Sequence, residues 1–351
     1  MPKQRLEYLD LLKGFAIFLM VVGHFLSWTF AQDSTPTPGA MFVRNLIYTF
    51  HMPLFFFISG YLLHLKRDRD FDFSFCVSTI KKRVQSLILP GFTFMLLYYA
   101  HTDILAFEWF LKTLFEFYII FCAIKFITRF FKDNIFLELL FQIATITVLF
   151  ICAKKLDNPI LNEFIPFSSL AHKYPYFMLG FYFHKININQ FLQKNDILYT
   201  SSIIGFITLF LLSNQMGIIP TTVSQYFTAI FGIIICLKVA QAINYDKAGI
   251  ITKTLLKWGG ISIEIYLLNA FFIPYFPALG NLFIESDSYI KFGPCQTPLH
   301  ITSIFLQVVT GLLAGIYVCF VSQWTKSIIA KSNFLDFVLF GKKKPKEQKT
   351  A

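Results

Sequence analysis

The run from Leu9 to Phe30, LDLLKGFAIFLMVVGHFLSWTF, decides how the rest of the chain is read. Its length suits a helix that crosses roughly 30 Å of hydrocarbon. It nevertheless carries Asp10, Lys13 and His24, and it lacks the small-residue cleavage site of a removable leader. The expectation is a retained first membrane helix. At about 100° and 1.5 Å per residue, Lys13 and His24 lie about 20° apart around the helix and about 16 Å apart along it. Asp10 lies about 60° from Lys13, so all three project to one side.

Nine further apolar runs follow: Leu46–Leu65, Ser86–Tyr99, Trp109–Ile127, Ile135–Cys152, Phe167–His184, Ile197–Ser213, Thr221–Gln241, Ile261–Leu279 and Ile301–Ser322. The fold class expected is all-α, a polytopic integral membrane bundle of about ten transmembrane helices. Composition agrees: 56% of the 351 residues are hydrophobic, 15% are charged, 45 are Phe, and the mean hydropathy is +0.59. A soluble domain of ordinary composition is excluded.

The net charge of +11 would suit nucleic acid, but most of the 31 basic residues lie between the apolar runs, with no polar face to carry a patch. No nucleic-acid partner is expected. Alternate connections hold 25 of those residues and the others hold 6, which by the positive-inside rule puts both termini in the cytoplasm. The reading is one transmembrane domain over 1–340 and a basic cytoplasmic tail over 341–351 near anionic lipid. The connections are too short for a separate extramembrane domain. Six scattered Cys form no C-x-x-C pair, so neither a disulfide framework nor a metal site is read.

A charged side chain at a helix centre costs about 2.5–3.5 kcal/mol on insertion scales, so ionisable residues inside spans are functional candidates. In the first span Asp10 and Lys13 form either an interfacial pair or the start of a polar path toward His24. The second span opens at Phe50-His51-Met52-Pro53, which puts His51 at an outer depth like that of His24. Two imidazoles at one depth suit a general base with a helper; alternatively His51 satisfies carbonyls at a helix start. Ser59-Gly60 follows, and Gly60 allows close packing. Lys81-Lys82-Arg83 before the third span is either a phosphate-binding cluster or an inner-face anchor. In the ninth run, Glu264 and Asn269 either partner His or Lys or hold helices together.

Two of these stretches resemble the histidine motifs of acyltransferase family 3. They are Leu9-Asp10-Leu11-Leu12-Lys13-Gly14-Phe15-Ala16-Ile17 with Val21-Val22-Gly23-His24, and Phe50-His51-Met52-Pro53-Leu54-Phe55-Phe56-Phe57-Ile58-Ser59-Gly60-Tyr61. Weaker echoes are Lys82-Arg83 with Leu89-Pro90, Trp109-Phe110-Leu111, Phe177-Met178-Leu179-Gly180-Phe181 and the segment from Ile261 to Leu268. The resemblance implies a membrane-embedded O-acyltransferase with acetyl-CoA as co-substrate and no metal. Its acceptor would be a hydroxyl of a cell-envelope glycan or lipid-linked saccharide, at the bacterial inner membrane. His24 matches the motif histidine and, with His51, is the expected catalytic pair. Lys13 stands where many members have Arg and, with Arg83, is expected to bind the donor. Asp10, Ser59, Glu264 and Asn269 are supporting; Asn269 falls where the family motif often ends in His, so no acid–base role passes to it. The alternative from another class is a transporter or flippase for a polar metabolite or lipid-linked sugar.

Overall fold

The protein is described by a computed structural model over residues 6–342, apart from 30, 33–34, 37, 66–70, 103–107, 132–133, 157–161, 163, 186–193, 216, 275–288 and 291–298. The described chain is helical except for two pairs of two-residue antiparallel strands, Ala31–Gln32 with Thr35–Pro36 and Tyr289–Ile290 with Leu299–His300. Each of the ten apolar runs is mostly helical among its described residues. Among the described residues six stretches are long and apolar enough to span a bilayer: Glu7–Thr29, Gly39–Leu65, Ile135–Lys155, Asp196–Asn214, Thr222–Ala242 and Ile304–Ile329. The chain is therefore a multi-pass membrane protein. The other four runs form helices that are more highly charged, shorter or interrupted.

The chain divides into two compact units: residues 1–58 with 187–325, and 59–186 with 326–351. In the first unit α1 (Glu7–Thr29) is buried along nearly its whole length, packed by α2 (Pro38–Tyr48), α10 (Thr221–Ala242), α11 (Ile250–Gly260) and α12 (Ser262–Phe272). Lipid removes most of the hydrophobic drive between helices, so close backbone approach has to hold them. Gly14 of α1 and Gly259 of α11 supply it: a Cβ on Gly14 would run into the Leu255 carbonyl, and one on Gly259 into the Asp10 carbonyl. Gly311 and Gly315 of α13 (Ile301–Ile329) likewise receive Val22, Leu26 and Phe18 of α1.

The second expected span, Leu46–Leu65, starts earlier and is broken. α2 ends at Tyr48, a turn covers Thr49–Phe50, and α3 is His51–Leu65. Pro53 has no N–H for the Thr49 carbonyl, so the ladder is interrupted there. The ninth expected run, Ile261–Leu279, is also reshaped. Ile261 (φ −124°) separates α11 from α12, which ends at Phe272 because Ile273 precedes Pro274 and is extended (ψ 118°). Residues 275–279 of that run lie outside the described residues. α9 (Asp196–Phe210) leads through a π-turn toward α10, with which it packs.

In the second unit the short third run is the end of a longer helical path. α4 (Phe73–Arg83), a π-turn (Val84–Ile88) and α5 (Leu89–Thr102) follow one another without a gap, about 45 Å at 1.5 Å per residue. The wide turn sits just before Pro90, which cannot donate to Ser86. α6 (Trp109–Thr128) and α8 (Phe167–Lys185) share an aromatic core, with Phe117, Phe121, Tyr174, Phe177 and Phe181 all fully buried. α7 (Ile135–Lys155) joins them through polar contacts: Lys125 pairs with Glu138, the Tyr182 hydroxyl donates to Glu138 at 2.7 Å, and Tyr174 donates to Gln142 at 2.7 Å. Gly60 of α3 lies against the Phe177 carbonyl, the close packing expected of it. The short helix α14 (Asn333–Phe340) packs on α5, an element absent from the sequence reading.

Candidate functional site

The site is built around His24, on the buried helix α1. Its Nδ1 lies 2.9 Å from Asn269 Oδ1 on α12. The Asn269 Nδ2 donates to the Tyr266 carbonyl, one turn back on the same helix. That contact sets the amide orientation, because a flipped amide would place Oδ1 against another carbonyl oxygen. Asn269 therefore offers an acceptor to His24, and the neutral imidazole carries its proton on Nδ1 and its lone pair on Nε2. The ring is held from one side by Trp28, stacked with centroids 4.9 Å apart and planes at 20°.

His51 opens α3, buried, with Nδ1 2.9 Å from the Ile47 carbonyl. Its Nδ1–H thus satisfies the end of α2, and Nε2 carries the lone pair. The structural role open to His51 in the sequence is realised, and the second nitrogen stays available. The Tyr48 ring lies between α1 and this imidazole: its centroid is 4.8 Å from that of His51, and its edge occupies the space a Cβ on Gly23 would need. The Tyr48 hydroxyl faces Ser27, whose own hydroxyl donates to the Gly23 carbonyl at 2.8 Å. His24 and His51 are close enough for the charge of one to act on the other.

Asp10 and Lys13 form an i,i+3 ion pair at 2.6 Å, half a helix away from His24. Asp10 is buried and Lys13 half-buried. Glu264 is buried on α12, less than two turns before Asn269. Arg83 and Ser59 belong to the second unit. There the Arg83 guanidinium lies over the Tyr118 ring, 4.1 Å from its centroid, and the Tyr118 hydroxyl donates to the Ser59 carbonyl at 3.4 Å. Arg83 is the last α-helical residue before the π-turn, so the wide turn and the ring together set its direction.

Sequence reasoning brought His24, His51 and Asn269 forward but not their neighbours Trp28, Tyr48 and Arg44. Arg44 lies 4.5 Å (Cζ to centroid) over the other part of the site, the Tyr48 ring. A signal for it was available. Arg44 and Tyr48 are spaced i, i+4, neighbours on one helix face, whereas charge counting alone placed Arg44 among the outer-loop cations.

Long apolar helices that carry two imidazoles, His24 and His51, in the first unit define a membrane protein with titratable groups among its apolar helices. A family model described as an acyltransferase domain, that of acyltransferase family 3, matches residues 6–324, nearly the whole chain and both units. The chain belongs to that family, which makes it a membrane acyltransferase, and the resemblance drawn from the two histidine motifs holds. No curated protein matches the chain.

Proposed function

We propose that the protein moves an acetyl group from cytoplasmic acetyl-CoA to a hydroxyl of a cell-envelope glycan or lipid-linked saccharide, at the bacterial inner membrane, with about ten spans and both termini inside. The observation that carries this reading is the His24–Asn269 pair, which leaves Nε2 of a neutral imidazole as a proton acceptor inside the bundle. His24 takes the proton of the acceptor hydroxyl as its oxygen attacks the thioester carbonyl. The carbonyl carbon–sulfur bond then breaks, and the proton goes to the departing CoA thiolate. Asn269 holds the tautomer and the ring angle, as an amide does in other histidine-centred sites. His51, tied to Ile47, assists from the second helix.

Lys13 and Arg83 attract the anionic CoA from the inner side, Lys13 as a point charge and Arg83 as a fork directed by Tyr118. Asp10 orients Lys13. Ser59 and Glu264 support the packing around these groups. The test is acyl transfer by membranes that contain the protein, supplied with acetyl-CoA labelled in the acetyl carbon. Label is expected in envelope glycan, with CoA released only when acceptor is present and a mass gain of one acetyl per modified unit. Unchanged thioester in the presence of a full acceptor pool would refute the reading and favour transport.

A further inference from the structure

Arg44 is the feature of the first unit that the reaction above leaves unused. It stands on α2, half-buried, one turn before Tyr48 and two before His51. Its guanidinium lies over the Tyr48 ring, its Nε is buried without a hydrogen-bond partner, and among the described residues no carboxylate pairs with it. Its charge is close enough to act on both His24 and His51. A guanidinium with no described carboxylate beside it is unfavourable inside a bundle, and guanidinium is the side chain best shaped to hold a carboxylate or phosphate through two parallel hydrogen bonds. The guanidinium thus lies against the Tyr48 ring, and the Tyr48 hydroxyl faces both Arg44 and Ser27.

Resting on the acyl-transfer reading, we propose that Arg44 is a specificity-determining residue that binds an anionic group, carboxylate or phosphate, of the acceptor and so brings its hydroxyl to His24. The acceptor is then an acidic or phosphorylated saccharide. Loss of one charge-assisted bidentate contact raises the acceptor KM roughly 10- to 100-fold. The donor KM and kcat stay within a few-fold.

The test uses the full chain in native membranes with labelled acetyl-CoA. Envelope acceptor is separated by anion exchange into anionic and neutral fractions. Wild-type label is expected in the anionic fraction; Arg44→Gln requires much more of that fraction for the same rate, and Arg44→Lys recovers part of the loss, both at normal abundance. Label in the neutral fraction, or a fall in kcat at unchanged acceptor KM, overturns the assignment while leaving acyl transfer intact. Failure of the wild type to transfer at all strikes instead at the reading beneath it. A second measurement is independent of turnover. In neutral detergent, phenylglyoxal modification of Arg44 is followed by mass mapping, with exposed Arg129 as internal control. Inorganic phosphate or glucuronate is expected to slow it severalfold at Arg44 only. Protection by phosphatidylglycerol but by neither free anion would assign the contact to a lipid headgroup and overturn the acceptor role.

Discussion

Replacing Asn269 by Leu removes the described acceptor for the His24 Nδ1–H while keeping volume and favouring insertion. In the parent, the 2.9 Å contact and the Tyr266 carbonyl behind it select the Nδ1–H tautomer. Without them the Nδ1–H tautomer is no longer selected, which by itself lowers the competent fraction. Loss of the hydrogen bond then frees the ring angle. A net hydrogen bond contributes about 0.5–1.5 kcal/mol, and an orienting partner behind a functional histidine is typically worth about 10- to 100-fold. The expected fall in kcat is therefore about 10- to 100-fold, with the donor KM little changed and protein abundance normal by immunoblot. The assay is acetyl transfer from labelled acetyl-CoA in matched membranes, run on Asn269→Leu, His24→Ala and the double variant. Once His24 is gone, Asn269 has nothing to orient, so the double variant should be no slower than His24→Ala. Parent-rate transfer by Asn269→Leu, or losses that multiply in the double variant, would refute the pairing as functional and leave Asn269 as a contact between helices.

His24→Ala alone should lower transfer by about 10²- to 10⁴-fold, the usual worth of a general base, at unchanged abundance. His51→Ala should have a milder effect on turnover and also loosen the α2–α3 junction, seen as faster proteolysis there. Lys13→Arg should keep most activity, and Lys13→Ala should raise the apparent KM for acetyl-CoA, read from initial rates over a donor series; an unchanged KM would remove Lys13 from donor binding. Gly259→Val should be poorly folded, because its side chain meets the Asp10 backbone, which cannot move aside; normal yield in a detergent size-exclusion profile would contradict the packing of α1 on α11. Deletion of 343–351 should leave transfer within a few-fold, whereas deletion from Gly341 should lower Tm, because Gly341 is the left-handed cap of α14 (φ 65°) and its carbonyl accepts from Gln85.

The membrane class, the two histidine motifs and the family follow from local sequence, since length, hydropathy and the spacing of motif residues need no knowledge of distant neighbours. The same holds for the shared face of Asp10 and Lys13, which helix geometry alone dictates. What the tertiary structure decided is which group each polar residue meets. Asn269 is 245 positions from His24, and nothing in the periodicity of α12 says that its amide meets the His24 ring. The break between α2 and α3 depends on Pro53 and on a His51 side chain that turns back to Ile47, so a continuous apolar run did not reveal it. Arg44 looked like a loop cation because hydropathy averages over a window, while its place over Tyr48 depends on the direction of one side chain. Apolar patterning is additive along the chain and can be read from it. The partners of a buried charge depend on how helices close against one another, which a handful of glycine contacts and carbonyl acceptors set only once the chain has folded.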